Sequence, residues 1–128
     1  MSPVFLQTHH VLAIHSRQLE RFGGSPGVRD LGLLESALAQ PPAQFAGEFL
    51  HEDLFAMGAA YLFHMVKNHP FVDGNKRTGL VATLVFLLIN NVNMPAADPR
   101  FYEITMAVAE GRLDKMAVAK FLRQAAEG

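Results

Sequence analysis

The chain has 128 residues, half of them apolar and 18% charged, with a formal net charge of −1. That balance predicts one folded domain over residues 1–128 and excludes a disordered chain. With no basic run and no cysteine, the sequence offers no footprint for direct nucleic-acid binding, no disulfide and no thiolate metal site.

The first ten residues, "MSPVFLQTHH", lack the basic end and long apolar run of a signal peptide. The longest apolar run, Gly79 to Ile89, falls well short of the roughly 20 residues that span a bilayer. A cytoplasmic globular protein without a membrane segment is the expectation.

In chain order, Gln7 to Arg21 places Val11, Ile14, Gln18 and Phe22 on one helical stripe, with Leu12 and Leu19 beside it. Gly23-Gly24 ends that helix, and "SPGVRD" is a turn. Asp30 caps a short helix bearing Leu31, Leu34 and Leu38, which Pro41-Pro42 stops. "AQFAGEF" follows as an irregular connection, a flap or a short strand.

From Glu52 to Asn68, Leu54, Phe55, Ala59, Leu62, Met65 and Val66 recur at helical steps. Asn75 to Asn91 is apolar nearly all round, as expected of a central core helix. Asp98-Pro99 opens a helix that Gly111 closes, and Asp114 caps the last one, with Met116, Phe121 and Leu122 facing inward. The predicted fold is all-α, a bundle of about six helices around a buried central helix.

Between the two most apolar helices stands "HPFVDGNKR", His69 to Arg77. A histidine titrates near neutral pH and can take a proton from a hydroxyl. Phe71 can pin the segment to the core. Asp73 offers the hard oxygen that Mg²⁺ takes alongside nucleotide phosphates.

Gly74 and Asn75 open the following helix, whose start presents free N–H groups to an anion. Lys76 and Arg77 sit in its first turn, where the dipole disfavours cations unless an anion offsets them. The ordered set is the kit of phosphoryl or nucleotidyl transfer. Each residue also has a plainer reading. A histidine at a helix end is usually a satisfied polar group, Asp-Gly is an ordinary turn pair, and exposed cations usually form a solvated face.

The remaining histidines do not form a zinc site. His64 and His69 lie five residues apart across a helix end and do not share a face. His10, His15 and His64 read as half-buried polar residues, and Met57 and Met65 as core filler.

With these residues in view, the chain resembles the Fic/Doc family, whose signature is H-x-F-x-[D/E]-G-N-[G/K]-R. "HPFVDGNKR" matches every fixed position. "IHSRQLERFGGSPGVRDLGLLESALAQP", Ile14 to Pro41, the helix before the motif and a short C-terminal helix after "VAEGRL" resemble the death-on-curing (Doc) branch. That branch comprises the toxins of toxin–antitoxin pairs.

The resemblance implies roles residue by residue. His69 matches the general base, Phe71 the aromatic anchor, and Asp73 the Mg²⁺-holding acid. Gly74, Asn75, Lys76 and Arg77 match the phosphate-binding positions, with Asn75 also shaping the loop. Lys76 replaces the glycine of adenylyl-transferring members, and Leu80 stands where many of them carry a second arginine.

Both departures imply transfer of the terminal phosphate of ATP to a protein hydroxyl, with elongation factor Tu as target and arrested translation as outcome. Gly74, which keeps a small residue for close phosphate approach, points mildly to the alternative of a nucleotidyl (AMP) transferase. A catalytically vestigial binding protein is the third reading. Neither "SRQLER" nor "TMAVAEG" completes the family's inhibitory motif. Control is therefore expected from a cognate antitoxin whose C-terminal segment docks on the toxin.

Overall fold

The computed structural model describes residues 2–127. Its helices are α1 (Thr8–Phe22), α2 (Leu31–Ala39), α3 (Leu54–Asn68), α4 (Asn75–Ile89), α5 (Arg100–Ala109) and α6 (Lys115–Glu127). Between α2 and α3 lies a two-stranded antiparallel hairpin, β1 (Gln44–Phe45) and β2 (Glu48–Phe49), with Gln44 opposite Phe49. The all-α expectation holds, and the irregular connection after α2 is this hairpin. No described helix is long and apolar enough to cross a membrane.

Aspartates start most of the helices, each accepting from a first-turn N–H that has no partner within its helix. Asp30 takes the N–H of Leu33 at 3.0 Å and Asp53 that of Ala56 at 2.7 Å. Asp98 takes that of Arg100 at 2.9 Å and Asp114 that of Ala117 at 2.8 Å. At the start of α1 the acceptor is His10, whose Nδ1 receives the Gln7 N–H at 2.9 Å. His10 is therefore exposed rather than half-buried, because its ring folds back over the helix end.

The central helix is α3 rather than α4. It packs against α2, α4, α5 and α6 and buries Met57 through Leu62 together with Met65 and Val66. Its run Gly58-Ala59-Ala60 lets neighbouring helices approach closely. Thr83 of α4 donates to the Gly58 carbonyl at 3.1 Å and to the Gly79 carbonyl of its own helix at 2.9 Å. The far end of α4 emerges from the core, leaving Leu88 and Ile89 exposed.

The core is continuous from Leu34 and Leu38 through Tyr61, Leu62, Phe71, Phe86 and Leu87 to Val118 and Leu122. The Tyr61 hydroxyl accepts from the Leu6 N–H at 2.9 Å. Burial pushes its pKa up to about 12, and that bond pulls weakly the other way. Asn90 exchanges bonds with Val4, N–H to Oδ1 at 2.8 Å and Nδ2 to carbonyl at 2.9 Å, which ties the N-terminal segment to the end of α4.

Two expected inward residues point out. Met116 is 81% exposed, because α6 turns Val118, Ala119, Leu122 and Ala125 to the core, almost the opposite side. Phe22 is 58% exposed. Gly23 ends α1 beside it, and the guanidinium groups of Arg21 and Arg77 lie 5.5 and 5.2 Å from its ring centre.

Candidate active site

The motif is the connection between α3 and α4, and its shape follows from where its polar backbone groups bond. His69 caps α3 in the left-handed conformation, φ 52° and ψ 55°, with its N–H on the Met65 carbonyl at 3.2 Å. The chain then dips inward, so that Pro70 and Phe71 are buried. Phe71 is fully enclosed and stacks on the His15 ring at 3.8 Å with the planes only 7° apart.

Two further ties hold the turn. The Asn75 side chain accepts the Phe71 N–H at 2.9 Å and donates to the Phe71 carbonyl at 3.0 Å. This satisfies backbone groups that burial would otherwise leave without partners. His15 Nε2 donates to the Asp73 carbonyl at 2.8 Å. His15 is therefore buried at 5% exposure rather than half-buried.

The turn after α1 straps the motif from outside. Val28 and Phe71 form an antiparallel bridge, and the Val72 N–H reaches the Gly27 carbonyl at 3.1 Å. The N–H groups of Arg29 and Asp30 both donate to the Pro70 carbonyl, at 2.7 and 3.0 Å.

Asp73 stays at the surface. Its carboxylate accepts the Ser25 N–H at 3.2 Å and the Gly74 N–H at 2.9 Å. These bonds, with smaller contributions from Arg77 and His15, hold its pKa below the usual carboxylate value despite some desolvation. An ionised, exposed oxygen pair with lone pairs left over suits a hard divalent cation.

Gly74 caps α4 at φ 78°, a left-handed geometry glycine adopts without strain. Among the described residues, the N–H groups of Asn75, Lys76 and Arg77 reach no protein acceptor, the first α4 bond being Thr78 N–H to the Gly74 carbonyl at 2.9 Å. Neither Lys76 nor Arg77 has a carboxylate at ion-pair distance among the described residues. Arg77 donates to the Gly23 carbonyl at 3.1 Å and keeps its other N–H donors. The Asn75 side chain, matched to a phosphate-binding position, faces the loop instead, so the group it presents to an anion is its backbone N–H.

His69, Asp73, Gly74, Asn75, Lys76 and Arg77 line one cleft of ≈ 480 Å³. Its other wall is Leu80 with Tyr102, Thr105 and Met106 of α5. Nothing in the sequence places these α5 residues at the cleft: Asp98-Pro99 and Gly111 mark only the ends of a helix, and "TMAVAEG" fails the inhibitory motif. Nor does the sequence show what His15 and Arg29 touch, since no local pattern announces a partner 40 or more residues away.

A second cavity of ≈ 320 Å³ lies near the start of α6, between Leu50, His51, Lys115, Met116 and Arg123. Its charges are already engaged. Arg123 binds Asp53 at 2.8 Å and Glu52 at 3.1 Å. Lys115 donates to His64 Nε2 at 3.0 Å.

The cleft joins a histidine, an ionised carboxylate and an open helix start on one helical hairpin, and residues 5–87 match the sequence model of the Fic/DOC family. The chain belongs to that family. It is 34% identical over 119 residues to the "Protein kinase doc" of Escherichia phage P1, an alignment covering 93% of each chain. It is 45% identical over 75 residues to the "Toxin Doc" of Mycolicibacterium smegmatis, covering 59% of this chain and 58% of that one.

Proposed function

We propose that this protein is a Doc-like toxin that transfers the terminal phosphate of ATP to a hydroxyl of a protein target, elongation factor Tu being the favoured one. The observation that carries this reading is the unpartnered α4 N-terminus opening into the same cleft as His69. The free N–H groups of Asn75, Lys76 and Arg77, with the Lys76 and Arg77 side chains, complement a polyphosphate. His69, exposed at the lip, accepts the proton as the target oxygen bonds to the γ-phosphorus and ADP departs.

Asp73 fits Mg²⁺, which would be shared with the nucleotide phosphates and neutralise their charge. Phe71, gripped by His15 and Asn75, keeps this constellation rigid. The kinase name of the phage P1 relative supports terminal-phosphate transfer, as do Lys76 and Leu80. The toxin name of the Mycolicibacterium smegmatis relative supports control by a cognate antitoxin, whose C-terminal segment would dock on this chain and cover the toxin.

The second reading, AMP transfer, draws on Gly74, the small residue that the family likeness sets beside the phosphates. Purified protein, elongation factor Tu and ATP labelled at either the α or the γ phosphorus separate the two. Label moving from γ alone is expected, label from α alone would establish nucleotidyl transfer, and no transfer of either would remove this target. His69→Ala should abolish transfer with the fold intact; undiminished transfer would remove the general-base role.

A further inference from the structure

We propose that Arg29 is a positioning residue that holds His69 in its left-handed backbone conformation and so keeps the imidazole at the cleft. This rests on the reading of His69 as the proton acceptor. Arg29 Nε donates to the His69 carbonyl at 2.8 Å and Nη2 to the Asn68 carbonyl at 3.0 Å. Its own N–H takes the next carbonyl, that of Pro70, at 2.7 Å. One residue therefore grips three successive carbonyls where α3 ends and the motif begins.

The physical need for such a grip is specific. The last carbonyls of a helix lack intrahelical donors, and a cation there complements the negative end of the dipole. Arg29 has no carboxylate at ion-pair distance among the described residues, so these carbonyls are what its charge faces. His69 at φ 52° is a non-glycine residue in a region that L side chains seldom occupy.

Left to itself, its backbone would relax to an extended or right-handed conformation and turn the ring away from Asp73 and the α4 start. The planar guanidinium fork spans both carbonyls at once, whereas a lysine ammonium is a single point donor. Asn68 helps from the other side, with Nδ2 on the Leu33 carbonyl at 2.9 Å.

The test uses isotope-labelled full-length protein, comparing the parent with Arg29→Ala and Arg29→Lys. The backbone carbon shifts of His69 report its φ region independently of activity. In Arg29→Ala these shifts should leave left-handed values, and kcat for transfer should fall at least about tenfold with KM for ATP within about twofold. Arg29→Lys should lie between, and it serves for the same measurements if the alanine variant does not fold.

Unchanged His69 shifts in Arg29→Ala would overturn the proposal, whatever happens to the rate. Altered shifts with an undiminished kcat, in a protein that His69→Ala inactivates, would overturn it as well. Full activity in His69→Ala would instead strike the base assignment, while the shifts still decide whether Arg29 holds the backbone.

Discussion

Asp73 receives N–H groups from both sides of the site, Ser25 from the strap and Gly74 from the start of α4. The carboxylate thus joins two loops while its outer lone pairs face solvent. Its lowered pKa means that its stabilising bonds are present above the ordinary value of 3.8 and are lost as pH falls through the lower folded value. Near neutrality they are constant.

Asp73→Asn removes the charge but keeps a carbonyl acceptor for the strap. It should weaken Mg²⁺-dependent ATP binding at least about tenfold while moving the melting temperature by only a few degrees, about what loss of one charged contact allows. Calorimetric titration of ATP with and without Mg²⁺ checks this, and an unchanged metal dependence would remove Asp73 from the metal site. Gly24 belongs to the same contact, since a Cβ there would stand 2.9 Å from Asp73 Oδ2 on a backbone at φ 121°.

At the scale of elements, the motif is as well placed as the α3–α4 hairpin that carries it. These helices meet over Gly58 and Gly79, where an added Cβ would stand 3.4 Å from Thr83 and 3.3 Å from Met65 respectively. Gly79→Leu should therefore force the helices apart and cost about 2–3 kcal/mol, the usual penalty of overpacking. Leu88→Ser, at the exposed end of the same helix, should stay within about 0.5 kcal/mol. Urea denaturation of both variants tests the contrast, and equal losses would contradict this account of the interface.

The capping aspartates Asp30, Asp98 and Asp114 were legible from sequence, because each bonds an N–H only two or three residues on. Which helix is central was not. Apolarity all round pointed to α4, whereas the small side chains of α3 decide how many neighbours can approach.

Across the whole molecule, the titrating groups with the clearest shifts lie away from the cleft. Burial, then Lys115, then His51 lower the His64 pKa from 6.5 to about 4. A folded pKa below the unfolded one means that the neutral form is favoured on folding. The stabilisation is complete above pH 6.5, declines as pH falls from there to about 4, and is spent below that.

His64 is half-exposed, so solvent screening reduces the effect to about 1–2 kcal/mol. His64→Gln, which can still accept from Lys115 but does not titrate, should flatten the stability profile between pH 6.5 and 4. Denaturant midpoints across that range read the difference directly, and parallel profiles would assign the acid limb to other groups.

By itself the sequence determined the helical class and most of the helix boundaries, and it marked His69 to Arg77 as the candidate site, because each rests on neighbours within a few residues. It also marked Phe71 for burial, an aromatic set between polar residues having few other uses. Only the tertiary structure decided what Phe71 rests on, the ring of His15, and that both polar atoms of the Asn75 side chain are taken up by the loop it was expected to shape. It alone brought Tyr102, Thr105 and Met106 to the cleft and set the Arg29 guanidinium on the carbonyls of Asn68 and His69. Apart from the Asn75 bonds to Phe71, four residues away, those contacts join segments tens of residues apart, so no local spacing encodes them. They exist because packing the helices around α3 brings the strap after α1, the motif and α5 to one place.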